Sequence, residues 1–230
     1  MFRYIIYLAF LLLFSLTACN KDSMPSPEAR RSYSFLALGD SYTIGESVSE
    51  DQRWGVQLAQ MLRAKGLDIR NPITIARTGW TTSELIQGIN KTHQQQTYDL
   101  VTLLIGVNNQ YRGESLTTYR EEFRQLLQTA IRSGNKDASG VIVLSIPDWG
   151  VTPFAQEHDR EKIAQEIDAF NAVARDETQK VGVTFIDITP LSRKAAGDKT
   201  YIAEDNLHFS GKMYREWEEL VLPIAERILK

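Results

Sequence analysis

The stretch Tyr33-Ser34-Phe35-Leu36-Ala37-Leu38-Gly39-Asp40-Ser41-Tyr42-Thr43-Ile44-Gly45 sets the organisation of the chain. Its first half, residues 33–38, is largely apolar and predicts a buried strand, and Gly39, Asp40 and Ser41 follow where that strand ends. Ligands of open α/β sheets bind outside the carboxyl ends of the strands, so Ser41 is well placed to contact one. Gly, Asp and Ser also dominate simple turns, and this stretch alone does not separate a site from a turn.

Further apolar runs alternate with helical patterns along the rest of the chain. Strands are predicted at 33–38, 72–76, 99–105, 141–146 and 183–188, and helices at 54–65, after 78–85, and at about 115–132, 156–180 and 210–229. The last helix is expected to turn Trp217, Leu220, Val221 and Ile224 inward. This alternation predicts a three-layer α/β/α sandwich around a five-stranded parallel sheet.

Composition restricts the class of protein. The 230 residues, 43% of them hydrophobic, suit one domain with a substantial core. The net charge of -3 and the lack of a basic stripe argue against a nucleic-acid partner. With only three histidines in the chain, we expect no histidine-rich metal site.

The N-terminal residues read as a targeting segment. Arg3 precedes an apolar run, residues 4–16, that is short for a membrane-spanning helix and typical of a signal peptide. Small residues before Cys19, the only cysteine, resemble the lipobox of bacterial lipoproteins, in which the cysteine becomes the lipidated first residue of the mature protein. A plain secretory signal with an incidental cysteine, or an uncleaved anchor, is the alternative.

We therefore expect a signal peptide at 1–18, a flexible tether at 19–32 and one folded domain at 33–230. The lipobox resemblance implies a lipid-anchored protein of the bacterial cell envelope, attached to a membrane through Cys19. Asn20, rather than aspartate, follows the cysteine. By the sorting rule of Gram-negative lipoproteins, this favours the outer membrane or cell surface if the source is Gram-negative.

A second polar stretch, Asp205-Asn206-Leu207-His208, carries an acid and a histidine three residues apart. Ester hydrolysis needs a nucleophile, a base and a group that orients the base, and Ser41, His208 and Asp205 are the candidates. The backbone N–H groups of Ser41 and Gly79, with the side-chain amide of Asn108, could form an oxyanion hole. All of these residues lie in loops that follow strands, or close to them.

These residues resemble the blocks of the SGNH hydrolases, a branch of the GDSL esterase/lipase superfamily. The matching segments are Gly39-Asp40-Ser41-Tyr42, Gly79, Gly106-Val107-Asn108, and Asp205 with His208. Two blocks depart from the family's pattern: Asn109 stands where aspartate is usual, and in the last block, usually Asp-Gly-x-His-Pro, Asn206 and Phe209 replace the glycine and the proline. The resemblance covers residues 33–229 and implies a flavodoxin-like SGNH fold.

The expected activity is hydrolysis of carboxylic esters through an acyl-enzyme on Ser41, as in lysophospholipases and carboxylesterases. An acetyl-ester hydrolase or acyltransferase acting on envelope glycans, or a non-catalytic glycan- or lipid-binding lipoprotein, are the alternatives. The substrate would be a small ester, either a lipid or an acylated sugar, bound by a monomer without metal or organic cofactor. Trp80, Tyr111, Trp149 and Phe154 could line its pocket or simply pack between loops.

Overall fold

The computed structural model of the chain describes residues 31–92 and 96–230. Five parallel strands form one sheet in the order β2-β1-β3-β4-β5. The strands are β1 (Phe35–Gly39), β2 (Ile73–Ala76), β3 (Leu100–Leu104), β4 (Val141–Leu144) and β5 (Thr184–Ile186). This order reverses direction beside β1, where β2 lies on one side and β3 on the other, and open sheets bind their ligands at such a point.

Eight α-helices connect or follow these strands in the described part of the chain. They are α1 (Ser41–Ile44), α2 (Trp54–Ala64), α3 (Thr82–Lys91), α4 (Val107–Tyr111), α5 (Leu116–Ser133), α6 (Arg160–Lys180), α7 (Thr189–Ser192) and α8 (Gly211–Leu229). Two short 3-10 turns, Trp149–Val151 and Pro153–Glu157, lie between β4 and α6. Helices α2 and α8 pack together, and α5 packs against both α3 and α6.

The strand order explains why there are three layers. The crossover from β1 to β2 runs in the opposite direction to the crossovers that follow, so right-handed connections place their helices on opposite faces. Every residue of β1, β3 and β4 is buried, whereas the edge strands β2 and β5 are partly exposed. The nearly continuous apolar run that becomes β3 therefore lies at the centre of the sheet, and the predicted fold class is confirmed.

Some boundaries differ from the sequence-based expectation. Helix α6 begins at Arg160 instead of about residue 156, because Pro153–Glu157 is a 3-10 turn and Asp159 caps the helix by accepting a hydrogen bond from the Lys162 N–H. On α8, Leu220 is 42% exposed, although it was expected to face inward. Trp217 and Val221 are fully buried there, as expected.

The predicted signal peptide, Cys19 and most of the predicted tether lie outside the described residues. Within the ranges 31–92 and 96–230, no helix combines the length and the apolar character needed to cross a membrane. The same ranges contain no group of three or more His, Cys, Asp or Glu side chains arranged to hold a metal ion.

Candidate active site

Ser41 lies at the carboxyl end of β1, in a very tight strand-to-helix turn. Gly39 ends the strand, and a Cβ atom placed there would lie 2.0 Å from Thr43 Oγ1 and 2.4 Å from the Leu104 carbonyl oxygen. Only glycine fits this close approach. The chain therefore turns directly from β1 into α1, whose first residue is Ser41.

Asp40 is the N-cap of α1, and its Oδ1 accepts a hydrogen bond of 3.0 Å from the Tyr42 N–H. The side chain is fully buried. Burial raises the pKa of this carboxyl to about 7, although hydrogen bonds from the backbone oppose the shift. The acid of the Gly-Asp-Ser segment thus shapes the turn that carries Ser41, as a capping residue does.

The Asp205–His208 segment folds so that one carboxylate binds the loop and the imidazole together. Asp205 Oδ1 accepts hydrogen bonds of 2.9 Å from the Leu207 and His208 N–H groups, and its Oδ2 lies 2.5 Å from His208 Nδ1. Asn206 adopts a left-handed backbone with φ 64°, a conformation that asparagine tolerates. The departure from the family's glycine at this position therefore leaves the loop intact.

A third group completes this arrangement, since the Ser47 hydroxyl donates a hydrogen bond of 2.7 Å to Asp205 Oδ2. Burial would raise the pKa of Asp205, but the hydrogen bonds from Ser47, His208 and the loop N–H groups outweigh it and lower the pKa to about 2. Asp205 is therefore a carboxylate at neutral pH. Because it occupies His208 Nδ1, the other ring nitrogen, Nε2, is left for a different partner.

Packing of the aromatic rings brings this loop to Ser41. Tyr42, the residue after Ser41, lies 5.4 Å from the His208 ring and 5.8 Å from the Phe209 ring, measured between centroids. Phe209 and Trp217 are fully buried, with their ring centroids 5.7 Å apart. The C-terminal helix thus anchors the histidine loop over the end of β1.

The two other candidate oxyanion donors come from the loops after β2 and β3. Gly79 has a left-handed backbone with φ 82°, and its carbonyl accepts a hydrogen bond of 2.6 Å from Arg112 Nη2, which fixes the orientation of this segment. Asn108 Nδ2 donates a hydrogen bond of 3.0 Å to the Trp80 carbonyl. A side-chain amide has two N–H donors, so the second remains for another acceptor.

One cavity of about 250 Å³ contacts most of these groups. Its lining residues are Ser41, Tyr42, Thr78, Gly79, Val107, Asn108, Tyr111, Trp149, Phe154, Leu207 and His208. The candidate nucleophile, the candidate base and the candidate oxyanion residues therefore meet at one place, although they come from four separate loops. Apart from these groups, the wall is mostly apolar and aromatic, as in typical small-molecule sites.

The remaining candidates divide into two groups. Tyr111 and Trp149 line the cavity, with ring centroids 5.4 Å apart. Trp80 is not among the lining residues; its ring packs on Gly88, where an added Cβ would lie 2.3 Å from it. Asn109 also points elsewhere, because its amide joins Thr82 and Glu114. This second departure from the family's pattern therefore does not touch the cavity.

Sequence reasoning missed some members of the site. Thr78, Val107 and Leu207 line the cavity beside residues that the motifs had identified, so their position next to a motif was the available signal. Ser47 gave no signal, because its contact with Asp205 joins segments 158 residues apart. No local pattern predicts such a contact.

Comparisons with known proteins agree with this architecture. The sequence matches the GDSL-like Lipase/Acylhydrolase family over residues 37–216. The structure is similar to that of TesA, with a TM-score of 0.68, 18% sequence identity and coverage of 86% of this chain and 99% of that chain. It is also similar to a lipase/acylhydrolase from Enterococcus faecalis, with a TM-score of 0.63, 23% identity and coverage of 85% and 96%.

A third similar structure is the acetylxylan esterase Axe2 from Geobacillus stearothermophilus, with a TM-score of 0.62, 17% identity and coverage of 86% of this chain and 94% of that chain. No curated protein matches the sequence. Fold and family together define the class: this is an ester hydrolase of the SGNH type. The chain belongs to the GDSL-like lipase/acylhydrolase family.

Proposed function

We propose that the protein cleaves carboxylic esters through a covalent acyl-enzyme on Ser41. One observation carries the proposal: Ser41 and His208 line the same cavity while Asp205 Oδ2 holds His208 Nδ1 at 2.5 Å. This arrangement has a nucleophile, a base with a free ring nitrogen and a carboxylate that orients the base. The mostly apolar wall of the cavity suits the acyl part of an ester.

In the first step, Ser41 Oγ attacks the ester carbonyl carbon, and its proton passes to His208 Nε2. Asp205 holds the imidazole in the tautomer that accepts this proton and stabilises the imidazolium that results. The carbon–oxygen bond to the alcohol then breaks, and the alcohol leaves with the proton from His208. Water, losing its proton to His208, attacks the acyl-enzyme in the second step and releases the carboxylic acid.

Negative charge develops on the carbonyl oxygen in both steps, and we assign three hydrogen-bond donors to it. Ser41 is the first residue of α1, so its backbone N–H has no acceptor carbonyl one turn earlier within the helix. The N–H of Gly79 and the second amide hydrogen of Asn108 are the other two. Each such donor is typically worth about 3 kcal/mol of the activation barrier.

The test is hydrolysis of p-nitrophenyl acetate, butyrate and octanoate by the full-length protein in detergent, beside Ser41→Ala. We expect the variant to lose activity by at least about 10³-fold. Ser49→Ala is the matched control, because Ser49 is an exposed serine of the same loop region whose hydroxyl bonds Asp51. A fluorophosphonate should label wild type and Ser49→Ala but not Ser41→Ala. Full ester hydrolysis by a folded Ser41→Ala protein would contradict the proposal.

We also propose that Cys19 anchors the protein to a membrane of the bacterial cell envelope as a lipoprotein. The support is the sequence alone: a basic start, a short apolar run and small residues before the only cysteine. Cells grown with a labelled fatty acid should incorporate the label into the wild type and not into Cys19→Ala. The ester hydrolase activity of the two purified proteins should be equal, and equal labelling would argue against this anchor.

A further inference from the structure

A second cavity of about 470 Å³ adjoins the candidate active site. Tyr111 and Trp149 line both cavities, so their rings form the partition between the two. Tyr111 is 52% exposed, whereas Trp149 is only 4% exposed. We call this second cavity the polar groove; it lies between α4 and the N-terminal half of α6, and residues 158–166 form one of its sides.

The polar groove differs from the active-site cavity in its chemistry. His158, Asp159, Lys162 and Glu166 line it, together with Gln110. None of these side chains belongs to the proposed catalytic machinery. A ligand in this groove would therefore meet several hydrogen-bonding groups beyond the aromatic partition.

A chain of hydrogen bonds ties the partition to the far side of the groove. Trp149 Nε1 donates to Gln110 Oε1 at 2.8 Å, and Gln110 Nε2 donates to Glu166 Oε2 at 2.8 Å. Glu166 Oε1 lies 3.7 Å from Lys162 Nζ. Gln110 is almost fully buried, and its amide is used by the bonds to Trp149 and Glu166. The side chains of Lys162 and Glu166 are partly exposed and keep donor and acceptor capacity for a ligand.

The charge of the groove restricts what could bind. Asp159 and Glu166 supply two acidic side chains against the single lysine, Lys162. Such a groove disfavours an anionic group such as a phosphate. The carboxylate oxygens of Asp159 and Glu166 and the ammonium group of Lys162 instead suit a ligand that both donates and accepts hydrogen bonds, as hydroxyl groups do. The exposed ring of Tyr111 offers an apolar face against which a ring can pack.

We propose that the polar groove binds the alcohol part of the ester, and that this alcohol is a neutral, polyhydroxylated ring, that of a sugar. The acyl group then occupies the apolar cavity beside Ser41, and the partition of Tyr111 and Trp149 separates the two halves of the substrate. This inference rests on the proposed function, since it assigns the leaving group of that reaction.

The experiment compares acetyl esters of three alcohols with the full-length protein in detergent: an acetylated xylo-oligosaccharide, monoacetylglycerol and p-nitrophenyl acetate. Glu166→Gln removes a charge of the groove and keeps an acceptor for Gln110, and Lys162→Ala removes the donor. Glu161→Gln is the matched control, because Glu161 lies exposed on the same helix outside the groove.

We expect Glu166→Gln and Lys162→Ala to lower kcat/KM for the acetylated sugar roughly tenfold, the effect of about one hydrogen bond to a charged group. On p-nitrophenyl acetate, whose leaving group carries no hydroxyl groups for Lys162 or Glu166 to bind, the same variants should change kcat/KM less than about twofold. Glu161→Gln should match wild type on all three esters.

The inference is overturned if the groove variants leave sugar-ester hydrolysis unchanged or slow all three substrates equally. It is also overturned if the variants affect monoacetylglycerol and not the sugar ester, because the groove would then serve a glyceride. Failure of the proposed function gives a different result, in which the wild-type protein hydrolyses none of the three esters.

Discussion

Glu218 gives the sharpest test of the energetics, because this acidic residue is fully buried on α8. Neither of its carboxylate oxygens has a hydrogen-bond partner within the described part of the chain. Burial raises the pKa of Glu218 from 4.5 to about 9, while the nearby Arg215 lowers it slightly. We therefore predict that the folded protein keeps this carboxyl protonated at neutral pH.

The consequence is a stability that falls as pH rises. The unfolded chain releases this proton near pH 4.5 and the folded protein near pH 9, so folding takes up a proton between these values. The stabilisation is fully present below pH 4.5 and is lost progressively up to about pH 9. Each pH unit in this window lowers the free energy of unfolding by about 1.36 kcal/mol, so the Glu218 contribution falls by about 2.7 kcal/mol between pH 5.5 and 7.5.

Glu218→Gln removes the titration and keeps the shape of the side chain. We measure the free energy of unfolding of variant and wild type by urea titration. The difference between them should change by about 2.7 kcal/mol in favour of the variant from pH 5.5 to 7.5. The corresponding difference in Tm should widen by roughly 5–10 °C. Glu219→Gln, which changes the exposed neighbour, should show no such widening. A constant difference between Glu218→Gln and wild type at both pH values would refute the reasoning.

Substitutions at three further positions test individual contacts. Ser47→Ala removes the hydroxyl bonded to the Asp205 carboxylate and should lower kcat on p-nitrophenyl butyrate several-fold; Ser47→Gly, which relieves the left-handed φ of 63°, should lose as much activity. Gly88→Ala places a methyl group 2.3 Å from the Trp80 ring and should destabilise the protein by about 1–3 kcal/mol in urea unfolding. Gln110→Leu leaves the buried Trp149 indole N–H unpaired and should cost about 1–3 kcal/mol in urea unfolding, whereas Gln110→Glu, which keeps an acceptor but sets a buried carboxylate against Glu166, should cost at least as much.

The fold was largely predictable because its signals are local. Each of the five strands is a short apolar run that ends in a polar loop, and the observed strands lie within the predicted ranges or within one residue of them. Helix α6 was predicted to begin too early, because residues 153–157 have helical composition but form a 3-10 turn. Helix periodicity cannot distinguish that turn from a first turn of α-helix, and the Asp159 cap decides the boundary.

The inner face of α8 shows where residue type misleads. The pattern placed Leu220 inside, yet Leu220 is exposed and Glu218 is buried. Spacing identified the buried face around Trp217 and Val221, but which flanking positions the buried stripe includes depends on packing against α2. A fully buried glutamic acid contradicts the usual exposure of this residue type, so residue type alone would place Glu218 on the outer face of the helix.

For the candidate site, the sequence predicted the residues that the motifs carry. The structure places Ser41, Gly79, Asn108 and His208 on one cavity, and it places Asp205 behind His208. The partners that orient these groups were beyond reach, because Ser47 and Arg112 act across long sequence separations. Only the folded loops show that a serine holds the candidate acid and that an arginine fixes the Gly79 segment.

The candidate site is built from residues near both ends of the domain, and this affects when the site can form during synthesis of the chain. Ser47 and Asp205 are 158 residues apart, and the histidine loop is anchored by a helix that ends at residue 229. At typical synthesis rates, roughly 10 to 30 s pass between the making of the two halves. Throughout that interval α8 is not yet present to cover the apolar side of α2, so the nascent chain is then most exposed to aggregation. If the proposed mechanism is correct, ester hydrolysis begins only when α8 has docked and holds the His208 loop beside Ser41, so activity reports that both ends of the domain have folded together.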